Sequence, residues 1–213
     1  MIKTSLYNLC TSADFEKIFK EKGYAYFTKG YYNLNIIGIR AGGLNVTNKF
    51  DDYIVVIYDT KNGTHRRIYN VTTDPGKHYI KQPINPNGAA LLVPNQYRGA
   101  WKIGKHKGKY DALVQVKPVK VYRDRNRNDV YDLDPNTIEE GNFGLNIHRS
   151  NPYTESTYVD KWSAGCQVFA NASQFKSFIE LCRKQRDNFG NSFTYTLLNE
   201  KDLLWNISAH CFY

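Results

Sequence analysis

The sequence is poor in cysteine, and what it has is scattered. Cys10, Cys166, Cys182 and Cys211 stand far apart, so there is no Cys-x-x-Cys pair and no zinc-knuckle spacing. Their even number permits disulfides, but nothing in the spacing argues for them. Cys182 follows an apolar helical run and reads as a core thiol. No apolar run is long enough for a membrane-spanning helix. The start, "MIKTSLYNLCTSADFEKIF", has no apolar stretch of the kind a secretory signal needs. That implies a soluble chain made in the cytoplasm, which would reach an external target only by lysis or by carriage on a virion. No internal repeat, linker or low-complexity segment divides it.

Runs of one charge are absent as well. The formal net charge is +9, which favours anionic partners such as nucleic acid, lipid headgroups or a cell wall. Yet the densest basic stretch, "WKIGKHKGKYDALVQVKPVKVYRDRNR", spreads its lysines and arginines between apolar residues. That pattern reads as the solvent faces of strands and argues against a nucleic-acid patch. A calcium loop is only hinted at. Asp124, Asn126, Asn128 and Asp132 alternate, but Asp129 stands where such a loop needs glycine and Pro135 where it needs glutamate. No metal or cofactor is expected.

What is present suits a β-rich globule. Of 213 residues 41% are hydrophobic, with 17 Tyr, 11 Phe and a single Met, enough for a real core. "TSADFEKIFKEKGY" opens as a helix capped by Thr11 or Ser12, with Phe15, Ile18 and Phe19 on one stripe and Gly23 as its stop. From residue 24 short strands take over. "LNIIGIRA" and "DYIVVIYDT" are strands, and Asn62-Gly63 marks a hairpin turn. Residues 72–99 read as long loops around a groove, with one short strand from Ala89 to Val93. "GAWKIGKH", "ALVQV", "VKVYRD" and "SFTYTLL" are further strands. A helix follows Cys166, capped by Asn171 or Ser173, with Phe175, Phe178, Ile179 and Cys182 at helical spacing. The expected architecture is mainly β (α+β). It has an N-terminal helical extension over 1–30 and one main domain over 31–213, whose tail "KDLLWNISAHCFY" is apolar enough to pack back.

Chemistry concentrates in "FGLNIHRSNPYTESTYVDKWSAGCQVF". In its first strand Phe143, Leu145 and Ile147 share one face, while Asn142, Gly144, Asn146 and His148 share the other. A loop then leads to the small-residue turn Ser163-Ala164-Gly165-Cys166. A thiol becomes a nucleophile through a lowered pKa or an adjacent base, and His148 can be that base. Small residues let the N–H groups of Gly165 and Cys166 converge on an oxyanion. The bland alternative is a strand histidine near a buried thiol. His65, His78, His106 and His210 are scattered, and His78 and His106, in Lys-rich loops, are expected on the surface. A zinc peptidase would need one of them to join His148 and Cys166. Trp101 reads as core or rim, while Tyr153, Tyr158 and Trp162 occupy the loop where a lid would lie.

"IHR…WSAGCQVF" followed by an amphipathic helix resembles the catalytic segment of the L,D-transpeptidase family. That family has His-Gly, a loop of some fifteen residues, then Ser-x-Gly-Cys, an apolar residue and an Arg or Asn. His148, Ser163, Gly165 and Cys166 match. "IVVIYDTKNGTHRRIYNVTTDPG" is similar to the family's early hairpin and "RGAWKIGK" to its Gly-x-aromatic-x-Ile strand, so the resemblance spans roughly 35–185. The style of the segment resembles that of divergent phage-encoded and related bacterial members. The chain departs from the pattern at Arg149 in place of Gly, at Ala164 where many members have His, and at Gln167-Val168 in place of the apolar residue and Arg or Asn. If the lost cation holds a substrate carboxylate, Arg149, Lys161 or Arg98 must do so here, and Trp162 is a further candidate contact. The resemblance implies an L,D-transpeptidase-like β-sandwich or barrel and acyl transfer on peptidoglycan stem peptides. Cys166 would attack, His148 would shuttle the proton, and Ser163 or a nearby carbonyl would orient the imidazole. A lytic cell-wall peptidase, with water as acceptor, and a non-enzymatic module with a decayed site are the alternatives. The oligomeric state is not legible.

Overall fold

The computed structural model describes residues 11–203. It is mainly β, with 37% of residues in strands and 20% in helices. Helix α1 spans Ser12–Glu21. The strands are β1 (Asn35–Arg40), β2 (Asp52–Thr60), β3 (Gly63–Thr72), β4 (Ala89–Leu92), β5 (Gln96–His106), β6 (Tyr110–Gln115), β7 (Val119–Asp124), β8 (Glu139–Gly141), β9 (Ile147–Arg149), β10 (Gln167–Phe169) and β11 (Phe193–Asn199). A five-residue helix, α2 (Lys77–Lys81), lies in the long connection between β3 and β4, and α3 (Ala172–Phe189) follows β10. Eight strands close a barrel in the order β1-β11-β5-β6-β9-β10-β3-β2, and β4-β7-β8 form a separate small sheet. The pairs β1/β11 and β9/β10 are parallel.

The two most apolar strands follow directly from this arrangement. β1 and β2 are buried almost throughout, which is why "NIIGI" and "DYIVVIY" show no alternation. Ile36, Ile54, Val56 and Tyr58 join the main core. Ile37, Ile39, Val55 and Ile57 face the opposite way, against Phe15, Ile18 and Phe19 of α1. A sheet covered on both faces needs apolar residues on both. Helix α1 is fixed by a capping box in which Thr11 Oγ1 accepts from Asp14 N–H and the Asp14 carboxylate accepts from Thr11 N–H. The hairpin β2/β3 turns on Lys61-Asn62, one residue earlier than Asn62-Gly63. Gly63, at φ +102°, opens β3 opposite Thr60. Asn171 caps α3 by accepting from the N–H groups of Ser173 and Gln174, and Phe175, Phe178, Ile179 and Cys182 enter the main core. Of the C-terminal tail, Leu203 packs against the α1 cluster. Cys10, His210 and Cys211 lie outside the described residues.

A buried ionic node joins the barrel to the site. Arg40 ends β1 and reaches Asp74 at 2.7 Å, while its other nitrogens donate to the carbonyls of Leu92 and Thr73. Asp52 beside it accepts from Ala41 N–H, Thr73 N–H and the Thr73 hydroxyl. Two residues after Asp74, Gly76 N–H donates to the Ser163 carbonyl at 2.9 Å, so the node anchors the turn that carries Cys166. Removing one member of a buried ion pair leaves an uncompensated charge. Arg40→Met should therefore lower unfolding free energy by about 3–5 kcal/mol in urea titration. A loss below about 1 kcal/mol would show the node to be dispensable.

Candidate active site

Parallel pairing of β9 with β10 builds the site. Ile147 lies opposite Gln167, His148 opposite Val168 and Arg149 opposite Phe169. Gln167 N–H donates to the Asn146 carbonyl at 3.0 Å, which places Cys166 beside Asn146 one step earlier. Leu145, Ile147 and Phe169 enter the barrel core, whereas Cys166 and Val168 pack outside it with Phe50, Val159 and Ala170. Strand alternation then puts Asn146, His148 and Cys166 on one outer face. Asn146 N–H donates to the Cys166 sulfur at 3.4 Å, and the thiol donates to the Gly144 carbonyl at 3.6 Å. The thiol proton thus points at Gly144 instead of the imidazole.

His148 is 4% exposed. Its Nδ1 lies 2.8 Å from the Arg149 carbonyl. A carbonyl only accepts, so Nδ1 carries the proton and Nε2 keeps its lone pair. Tyr110 donates to the same carbonyl. Of the two partners expected for the imidazole, the carbonyl is the one found. The Ser163 hydroxyl instead donates to the Cys166 carbonyl at 2.8 Å and accepts from Gly165 N–H at 3.1 Å. That commits the Gly165 N–H, leaving Cys166 N–H as the backbone donor for an oxyanion. Gly165 itself is at φ +125°, and a Cβ there would sit 2.5 Å from the Ala90 carbonyl. Gly165→Ala should add about 1–3 kcal/mol of backbone strain and displace Cys166. Turnover should fall far more than melting temperature, and an unchanged kcat would contradict this placement.

His106 corrects an expectation. It lies at the end of β5, is 7% exposed and stacks on His148 with ring centroids 4.0 Å apart. The Asn146 side-chain amide donates to its Nδ1 at 3.1 Å. A histidine between two lysines reads as surface, but the β5–β6 hairpin carries it onto the outer face beside β9. His78 lies within α2 and is half-buried. Burial, and then His106, hold the His148 pKa down to about 3. Burial, with Lys107 and Arg149 nearby, holds His106 down to about 4. Burial pushes the Cys166 thiol up to about 11, partly offset by the Asn146 N–H. The resting pair is a neutral thiol and a neutral imidazole, the reverse of the lowered thiol pKa that a nucleophile suggests from sequence.

The remaining candidates divide. Arg149 is at the site, its guanidinium 4.2 Å over the Tyr110 ring and its Nη1 donating to the Ser150 carbonyl. Lys161 and Trp162 line a groove of about 620 Å³ with Lys77, His78 and Lys81. Tyr153 and Tyr158 are exposed on the loop before it. Arg98 is not brought to the site. It lies over Phe27 and lines a separate cavity with Gln185 and Phe189. Gln167 faces inward, donating to the Gly165 carbonyl and accepting from the Tyr195 hydroxyl. Trp101 is fully buried and donates to the Leu145 carbonyl at 2.7 Å. Among the described residues no three His, Cys, Asp or Glu side chains converge as metal ligands, so a zinc peptidase lacks its third ligand there. Among them, too, no helix is long and apolar enough to cross a membrane. Compared with known proteins, the chain matches no family model, no curated protein and no solved structure.

Proposed function

We propose that the chain is a cysteine acyltransferase of the L,D-transpeptidase kind, acting on peptidoglycan stem peptides. The observation that carries the reading is the shared outer face of β9 and β10. There Cys166, just before β10, lies level with Asn146, two residues before His148 on the same side, and His148 has its Nδ1 proton fixed on the Arg149 carbonyl. The mainly-β barrel agrees with the architecture expected of that family, and the net charge of +9 suits an anionic wall.

In the proposed reaction, rotation of the Cys166 side chain takes its proton from Gly144 to His148 Nε2. The sulfur attacks the carbonyl at the L-centre of the third stem residue as the proton transfers, so no standing thiolate is needed. The Cys166 N–H stabilises the tetrahedral oxyanion. Collapse breaks the C–N bond, and the imidazolium returns its proton to the departing D-alanine amine. His148 then deprotonates the acceptor, an amine or water, as it attacks the thioester; the C–S bond breaks and the imidazolium returns its proton to the departing Cys166 sulfur. Incubation of the protein with purified tetrapeptide muropeptides, read by mass spectrometry, tests the reading. Cross-linked dimers mark a transpeptidase and free tripeptide a hydrolase, whereas unchanged muropeptides reject both. A second reading, a binding module with a decayed site, is favoured by one observation: the Cys166 proton is committed to Gly144 and the thiol is not activated at rest.

A further inference from the structure

A groove of about 320 Å³ borders the Cys166 turn, and Ala164 and Leu145 form its wall on that side. Most of the lining is apolar, including Pro83, Ile84 and Phe143, but Arg123 also contributes. Arg123 is 3% exposed, on β7 of the small sheet. Its Nε donates to Glu139 at 2.7 Å and its Nη1 to the Gly88 carbonyl at 3.4 Å. Its Nη2 is buried without a hydrogen-bond partner. The Phe143 ring lies 4.7 Å over the guanidinium. A buried cationic N–H without an acceptor is costly, and such groups in native structures call for an explanation. The arginine that carries it lines an open groove beside a candidate nucleophile.

We propose that this groove is a carboxylate subsite, in which Arg123 Nη2 receives the free C-terminal carboxylate of the peptide whose preceding bond lies at Cys166. The proposal rests on the acyl-transfer reading for the identity of the peptide. The planar guanidinium matches a carboxylate. A single negative charge fits better than a phosphate dianion, because Glu139 already occupies Nε and repels a second charge. The apolar lining suits a small side chain such as the methyl of alanine. Phe143 covers the guanidinium and is itself part of the wall, so its ring must swing aside for a ligand to reach Nη2. Sequence reasoning sought this cation among Arg149, Lys161 and Arg98. Arg123 was hidden in "VKVYRD", where it read as one more solvent-facing strand charge.

The test uses Cys166→Ala full-length chain, which cannot turn over, and two probes, N-acetyl-L-lysyl-D-alanine and its C-terminal amide, with binding measured by calorimetry. The acid should bind at least about tenfold tighter than the amide, the loss expected for one charge-assisted hydrogen bond. Arg123→Gln should erase that preference. Because it also strips Glu139 of its partner, the double variant Arg123→Gln/Glu139→Gln, which leaves no buried charge, should erase it equally while remaining folded. Equal binding of acid and amide, no binding of either, or a preference that survives both variants overturns the subsite. The acyl-transfer reading is separable. Wild-type protein that forms an acyl-enzyme equally from acid and amide keeps that reading and loses the subsite. A preference for the acid in Cys166→Ala, without any acyl-enzyme in the wild type, keeps the subsite and loses the reading.

Discussion

Cys166→Ala will abolish turnover of tetrapeptide muropeptides and leave the barrel standing. The two halves of that expectation have different physical origins. The thiol is a minor structural group, half-buried at the edge of a small cluster with Phe50, Val159, Val168 and Ala170. Its sulfur contacts at 3.4 and 3.6 Å are long. Losing one sulfur from such a site should lower stability by no more than about 1–2 kcal/mol. Catalysis, by contrast, loses the atom that forms the thioester. Nucleophile deletions in hydrolases with an analogous assembly cost up to about 10⁶ in kcat, so activity should fall by at least about 10³ and no acyl-enzyme should be trapped. Retention of more than about a tenth of wild-type turnover would remove Cys166 from the mechanism. Iodoacetamide gives a companion measurement. Cys182 is fully buried and should stay unlabelled in the folded chain. Cys166 should react slowly at neutral pH, and its rate should climb about tenfold per pH unit through pH 9, because burial has pushed the thiol up to about 11. A plateau near pH 7 would instead mean a thiolate already formed at rest.

Much of this molecule is legible in its sequence where local physics decides. Phe15, Ile18 and Phe19 at helical spacing mark α1, and the same logic on Phe175, Phe178, Ile179 and Cys182 marks α3. The alternation of Leu145 and Ile147 with Asn146 and His148 separates inward from outward residues, but the strand expected from Phe143 onward is shorter: only Ile147–Arg149 pair as β9, and 142–146 are not strand. What depends on partners distant in sequence is not written locally. Barrel closure requires β1 to lie parallel to β11, a pairing between Ile36–Arg40 and Tyr195–Asn199 that no local pattern encodes. The same holds for the site. Ser163 looks like a residue free to orient an imidazole, but its hydroxyl is consumed by the turn it sits in. His106 and Arg123 look like solvent charges, yet one is buried by a hairpin folding onto β9 and the other by a sheet closing over a groove.

Substituting His106 should move the pH dependence of the reaction, and the direction follows from the sign of its effect. A general base works unprotonated, so the acid limb of kcat/KM reports the point at which His148 takes up a proton. Burial holds the His148 pKa down to about 3, with His106 the next largest cause. Tyr110 is uncharged through the acid range and faces the ring from β6, Cys166 is a neutral thiol, and Arg149 and Lys107 are cations that also disfavour a second positive charge. His106→Gln opens the stack to water and removes one of those cations-in-waiting, so the His148 pKa should rise toward its ordinary value. Activity should then fall by about tenfold at pH 5 while staying within about twofold at pH 8. His106→Phe keeps the stack and the burial but removes the charge, so its shift should be smaller, which separates the two causes. The imidazole Cε1 proton resonance of His148 gives the pKa directly, and a merely structural role for His106 would leave that resonance and the acid limb unmoved. Stability carries the same sign. In the unfolded chain His148 binds its proton near pH 6.5, but in the folded chain only near pH 3. Its contribution is therefore complete above about pH 6.5 and is lost as the pH falls, by about 1.4 kcal/mol per unit until the folded value is reached. Raising the folded pKa by His106→Gln shortens that window, so the variant should lose less stability than wild type between pH 6 and pH 4.5, even where it loses more activity.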